Sequence, residues 1–193
     1  SAATSLEAVI RVDQPGVAAN AGSDQLICGN TATVIGNDPG TGIGTWKLVS
    51  GSPLTVINGS GRMATVSNLQ VGVTELEYEI DRGACGKTSD RMLITVDERS
   101  NAGFMTGGGT FCNSATTTLT LTAFTGTIVR WESSTDNFVT VQPIVNTNAT
   151  WMLTNLTRTT AYRAVLSGGV CGQSMSNAVI VTVLDGHYIA DAG

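Results

Sequence analysis

Residues 75–80 read ELEYEI, and the reading of that stretch decides the fold class. Leu76, Tyr78 and Ile80 fall on one side of an extended chain and Glu75, Glu77 and Glu79 on the other, which predicts a strand with one buried and one wet face. The same texture continues outward. Strands are predicted over TATVIG (31–36), TWKLVS (45–50), MATVSNL (63–69) and RMLITVD (91–97). They recur over TTTLTLTAF (116–124), TIVRWES (127–133), ATWMLTNL (149–156), TAYRAVLS (160–167) and AVIVTVL (178–184), divided by Gly, Asn, Asp and Pro clusters. Thr, Gly, Ser and Asn fill 78 of the 193 positions and only 13% are charged, a composition that disfavours long helices. The prediction is an all-β chain of two tandem β-sandwiches.

Charge and chemistry exclude several functions. Ten basic residues against 15 acidic ones give a net charge of -5, and Lys47 and Lys87 are the only lysines, so no basic stripe exists for nucleic acid. No apolar run reaches the ~18–20 residues of a spanning helix, and the opening SAATSLEAVIRVD lacks the order of a signal peptide, so no membrane insertion is expected in this segment. The single histidine, His187, offers no Ser-His or Cys-His pair inside either half, and no enzyme is predicted. Glu75, Glu77 and Glu79 read as a solvated strand face rather than a catalytic carboxylate pair.

The cysteines carry a repeat. Cys28 and Cys85 are 57 positions apart, Cys112 and Cys171 are 59 apart, and Trp46 and Trp131 follow the first member of each pair by 18 and 19. Gly83-Ala84-Cys85-Gly86 matches Gly169-Val170-Cys171-Gly172. Four cysteines allow three pairings, and the repeat favours Cys28 with Cys85 and Cys112 with Cys171, near one end of each sandwich. Such bonds imply an oxidising compartment, extracellular or periplasmic, whereas the wide spacing leaves no zinc ligand set. A closing phrase occurs at IRVDQ (10–14), ITVDE (94–98) and VTVLD (181–185), and an opening phrase at Asn20-Ala21-Gly22, Asn101-Ala102-Gly103 and Asp191-Ala192-Gly193. The predicted organisation is therefore a fragment of a longer array. Residues 1–16 are the last strand and linker of a preceding repeat, 17–98 the first sandwich, 99–185 the second, and 186–193 the start of another.

Trp46 and Trp131 are predicted to fill the two cores. Tyr162 lies at two-residue steps from Leu156, Arg158 and Thr160, as at the corner of fibronectin III and immunoglobulin-like sandwiches where a tyrosine hydroxyl returns to upstream backbone; Tyr78 is its counterpart. Trp151 has no counterpart in the first unit. It shares a strand face with Leu153, so core packing is the simpler reading and an exposed ligand platform the alternative. Phe104 and Met105 are expected to pack at the unit junction. Asp13, Asp97 and Asp185 stand near unit boundaries and are candidate calcium ligands, with Asp24 and Asp38 in nearby loops; no other cofactor is predicted.

The runs AGSDQLICGNTATVIGN, GTWKLVSGS, NLQVGVTELEYEIDRGACG and SDRMLITVD resemble the PKD-like and immunoglobulin-like repeats of very large secreted surface proteins of Bacteroidetes bacteria, gliding-motility adhesins among them. TGTIVRWESSTDNF, LTNLTRTTAYRAVLSGGVCG and SNAVIVTV are similar to the partner repeat of the same proteins. The resemblance covers nearly all of residues 17–185. It implies export by the type IX secretion system, display as a filament on the bacterial cell surface, and adhesion to surface polysaccharide or solid surfaces. In that setting the segment is a non-catalytic stalk between neighbouring repeats. The alternatives are a self-assembling structural filament or surface-layer subunit, and accessory or carbohydrate-binding modules of a secreted enzyme.

Overall fold

The structure, a computed structural model, describes residues 16–185, so the strand expected at 10–14, Asp13 and His187 lie outside the described residues. Every regular element described is a strand, apart from two single turns of 3-10 helix. The chain divides into two compact units, with the boundary between Val96 and Asp97.

The first unit contains β1 (Gln25–Ile27), β2 (Thr31–Ile35), β3 (Ile43–Ser50), β4 (Val56–Asn58), β5 (Met63–Ser67), β6 (Gly72–Asp81) and β7 (Lys87–Val96). One sheet runs β1-β7-β6-β3 and the other β2-β5-β4. The ELEYEI stretch lies within β6 at the centre of the larger sheet, where Leu76, Tyr78 and Ile80 are fully buried. They pack with Trp46, Met92 and Ile94 of their own sheet against Ala32, Val34, Ala64 and Val66 of the other. Burying such side chains stabilises the unit by roughly 1.5–3 kcal/mol each. On the outer face Lys47 and Lys87 bridge Glu79 at 2.7 and 3.1 Å, and Arg91 bridges Glu75 and Glu77 at 3.2 Å each. The like charges predicted along one face are thus interleaved with cations from β3 and β7.

The second unit contains β8 (Phe104–Thr106), β9 (Gly109–Cys112), β10 (Ala115–Thr122), β11 (Thr127–Ser134), β12 (Gln142–Ile144), β13 (Thr150–Leu156), β14 (Thr160–Ser167), β15 (Gln173–Met175) and β16 (Val179–Leu184). Its larger sheet runs β12-β11-β14-β16-β9, with β15 also on β14, and its smaller sheet runs β13-β10-β8. Trp131, Leu119, Leu121, Ala164, Leu166 and Val181 form its core.

Both units share an unpredicted device. The short strand β1 pairs with the last strand β7 in parallel, and β9 pairs with β16 in the same way. First and last strands therefore lie side by side, running in the same direction. The chain enters each unit at one pole and leaves it at the other.

Candidate functional site

The poles are where the sequence motifs converge. At the entry pole of the first unit, Arg82 donates to the Val17 carbonyl and the Ala19 N–H donates to Thr88 Oγ1 at 3.0 Å. Beside them sits the turn Gly83–Cys85, closed by hydrogen bonds from Gly86 N–H to the Gly83 carbonyl and from Arg82 N–H to the Gly86 carbonyl, both 3.1 Å. The second unit repeats the turn at Gly169–Cys171. Gly83 and Gly169 have φ of 60° and 59°, and Gly86 and Gly172 have 89° and 82°, left-handed values that glycine adopts without a Cβ clash. That requirement explains the matching Gly-x-Cys-Gly text.

The same geometry corrects the expected disulfides. Ile27 is level with Val96 in the parallel register, so Cys28 lies at the exit pole, whereas Cys85 precedes the first residue of β7 at the entry pole. Ten residues of β7 separate the two levels, about 30 Å at ~3.3 Å per residue, and a disulfide needs Cα atoms within about 7 Å. In the second unit Cys112 is level with Leu184 at the exit pole, while Cys171 follows the far end of β14. Cys28 and Cys171 are disulfide-bonded, and Cys112 is exposed and not in a disulfide. Neither pairing that the spacing suggested is formed. Equal spacing records that the units are copies, not that cysteines within a copy touch.

The aromatic candidates are placed as follows. Trp46 and Tyr78 stack in the first core with centroids 4.9 Å apart. The Tyr78 hydroxyl donates to the Asn37 carbonyl at 3.0 Å, returning to backbone in a distant loop, and burial pushes its phenol up. Its ring fits because Gly36 and Gly44 carry no side chain; a Cβ on Gly36 would sit 2.5 Å from a ring carbon. Trp131 is fully buried and donates its indole N–H to the Asn148 carbonyl at 3.1 Å. Trp151 meets Trp131 edge-on at 5.8 Å and Tyr162 at 5.5 Å. It is therefore the half-buried rim of an aromatic cluster instead of an open platform. Burial pushes the Tyr162 phenol up, opposed by a hydrogen bond with Thr160. Met105 is buried, but Phe104 is 69% exposed on β8, because strand alternation turns it outward, away from the packing expected of it.

The acidic candidates serve the backbone. Asp97 Oδ2 accepts the Val170 N–H at 2.8 Å and so caps the cysteine turn of its unit. Asp24 accepts the Leu93 N–H at 2.8 Å and Asp38 accepts the Gly40 N–H at 2.9 Å. Asp185 is exposed at the end of β16. Among the described residues no three His, Cys, Asp or Glu side chains gather as a metal site would require.

One charged cluster was missed in the sequence. Glu132 on β11 is 3% exposed; it accepts Arg130 Nη2 and Arg163 Nε at 2.7 Å each, and Arg163 lies 4.2 Å over the Phe138 ring. Burial alone would raise the Glu132 carboxyl, but the hydrogen bonds from Arg163 and Arg130 outweigh it and hold the group below its ordinary range. An acid and a base two residues apart in VRWES were its only trace.

The smaller sheet of the second unit presents an uncharged outer face. Thr118 lies opposite Met152, Thr120 opposite Thr150 and Thr106, and Thr122 opposite Phe104. Met152 is 65% exposed.

Comparison with known proteins adds the fold relationship. A family described as a domain of unknown function (DUF8696) matches residues 101–185. No curated protein matches the sequence. Among solved structures, the three-immunoglobulin-domain titin segment I67–I69 aligns over 86% of this chain and 64% of its own, with a TM-score of 0.55 and 13% identity. The N-terminal four immunoglobulin domains of Dscam1 isoform 6.9 align over 91% of this chain and 48% of their own, with a TM-score of 0.54 and 11% identity. The fold is immunoglobulin-like.

Proposed function

We propose that this chain is a non-catalytic spacer segment of an extracellular surface adhesin, a stretch of tandem immunoglobulin-like repeats that carries tension between a cell and what it holds. The observation that carries this reading is the parallel pairing of first and last strands in both units. Tension enters β1 or β9 at one pole and leaves β7 or β16 at the other, so the ladder between them is loaded along the strands and its bonds must break together. The disulfide-bonded Cys28 and Cys171 support an oxidising, extracellular setting. The resemblance to Bacteroidetes repeats supports a bacterial surface, export by the type IX system and a role in attachment or gliding.

Single-molecule pulling of the reduced chain tests the reading. Two unfolding events are expected, each releasing about 30 nm at ~3.6 Å per residue. Unfolding without a resolved force peak, as for strands peeled one bond at a time, overturns it.

The uncharged face of β10, β13 and β8 suits a neutral polysaccharide or solid surface, with Phe104 and Met152 as apolar contacts among threonines. Adsorption to cellulose or chitin particles, lost in the Thr120→Glu, Met152→Glu double variant, is the expected result. Equal adsorption of the two proteins overturns this assignment and leaves the spacer reading intact.

A further inference from the structure

We propose that Asn58-Gly59 is a self-modifying site, where the Gly59 backbone nitrogen displaces the Asn58 side-chain amide, and that the product loosens β4 from β5. The pair is the single Asn-Gly step in the chain. Asn58 ends β4, the three-residue strand at the edge of the smaller sheet of the first unit, and both Asn58 and Gly59 are exposed. By contrast, the side-chain amides of Asn20, Asn37, Asn101, Asn146 and Asn177 are each tied to backbone groups at 2.8–3.1 Å. Gly59 is compulsory. Its φ is 138°, and a Cβ built on it would lie 2.6 Å from the Met63 carbonyl oxygen and 2.8 Å from the Ala64 Cα, both backbone atoms. The hairpin into β5 therefore fixes, directly after Asn58, the one residue type with no side chain to shield its nitrogen.

The reaction needs only the pair, hydroxide and water. The Gly59 nitrogen gives its proton to hydroxide and attacks Asn58 Cγ. A C–N bond forms and closes a succinimide ring, the Cγ–Nδ2 bond breaks, and the amide nitrogen takes a proton from water and leaves as ammonia. Water then opens the ring. Opening at the side-chain carbonyl gives aspartate; opening at the main-chain carbonyl gives isoaspartate, whose backbone is longer by one methylene. Either product places a carboxylate opposite Thr65, on a face where Thr33, Ile35, Val56 and Met63 carry no charge. The isoaspartate also disturbs register, and β4 is held only by the pairs Val56–Ser67, Ile57–Val66 and Asn58–Thr65.

The test ages the chain in mildly alkaline buffer, native and, in parallel, unfolded in guanidinium chloride. Samples taken over time are digested with trypsin and mapped by mass; cleavage after Lys47 and Arg62 releases residues 48–62, in which Asn58 is the one asparagine. The mass change from amide to acid is expected in this peptide ahead of every other asparagine-bearing peptide. Its native rate should lie within about tenfold of the unfolded rate, as for an exposed loop that opens at little cost, and should rise with pH because the attacking nitrogen must lose its proton. The urea midpoint read by Trp46 in the aged chain should fall by about 0.5 M, the equivalent of one or two cross-strand pairs, while that of the second unit holds. Asn58→Gln, aged alongside, should keep both its mass and its midpoint. Asn58→Asp carries the charge on an ordinary backbone and should fall less than the aged chain; an equal fall overturns the register disturbance. A native chain that keeps its amide while the unfolded chain converts, an earlier conversion at another asparagine, a midpoint unmoved by conversion, or an equal loss in aged Asn58→Gln overturns the inference.

Discussion

Glu132→Gln isolates the contribution of the buried charge cluster around Glu132, Arg130 and Arg163. The substitution keeps the shape of the side chain and removes its charge, leaving Arg130 and Arg163, 33% and 22% exposed, facing each other across a neutral amide. Removing one partner of a fully buried pair costs about 3–5 kcal/mol; here both guanidinium groups reach water, and Arg163 keeps its Phe138 contact, so about 2 kcal/mol is expected. With a urea slope of about 1.5 kcal/mol per molar for a unit of this size, the midpoint of the second unit should fall by about 1.3 M, followed through Trp131 and Trp151 fluorescence. The transition reported by Trp46 should not move. The sign with pH follows from the lowered carboxyl. The stabilisation is fully present above the unfolded value near 4.5 and is lost as pH falls through the lower folded value, so the gap between wild type and variant should close in acid. A variant as stable as wild type at pH 7, or a deficit that persists unchanged at pH 2.5, refutes the reasoning.

Other perturbations probe the remaining packing. Gly44→Ala places a methyl group against the Tyr78 hydroxyl and should destabilise the first unit by about 2–3 kcal/mol in the same urea assay. Tyr78→Phe removes the donor to the Asn37 carbonyl and should cost about 1–2 kcal/mol, read as a lower urea midpoint in Trp46 fluorescence. Asp97→Ala removes the acceptor for Val170 N–H; hydrogen exchange at that amide should quicken and the second unit should lose about 1 kcal/mol. Adding a chelator should leave both urea midpoints where they were, because the described residues assemble no metal site; a drop in either midpoint would return calcium to the account.

Much of the architecture was legible because it rests on long alternation. The β6 pattern, the β14 run and the tryptophans of β3 and β11 all belong to strands of at least eight residues. The strands that sequence missed, among them QLI in β1 and GTFC in β9, have only three or four residues, too few for a period to show. Missing them also hid the poles, since the parallel pairing is what sends each chain across its sandwich. Cys28 and Cys85 looked paired for that reason: a repeat reveals equivalent positions, and nothing in a spacing of 57 says at which end of a sheet each residue falls. Trp151 was separable from a surface platform only once its two aromatic neighbours were placed. Glu132 escaped because one of the two arginines that pair with it, Arg163, comes from another strand, which the alternation of β11 alone does not reveal.

The side-by-side placement of first and last strands also sets an order of assembly. Antiparallel neighbours such as β6 and β7 can zip from a short turn, whereas Gln25 must find Ile94 and Gly109 must find Val181 across most of a unit. Such distant pairings close late, after the local ladders have formed. A chain emerging progressively from a ribosome or a secretion pore cannot complete a unit until its last strand has come through. Each unit should then lock in a single step as β7 or β16 arrives, so that the first unit is complete before the second as the chain emerges.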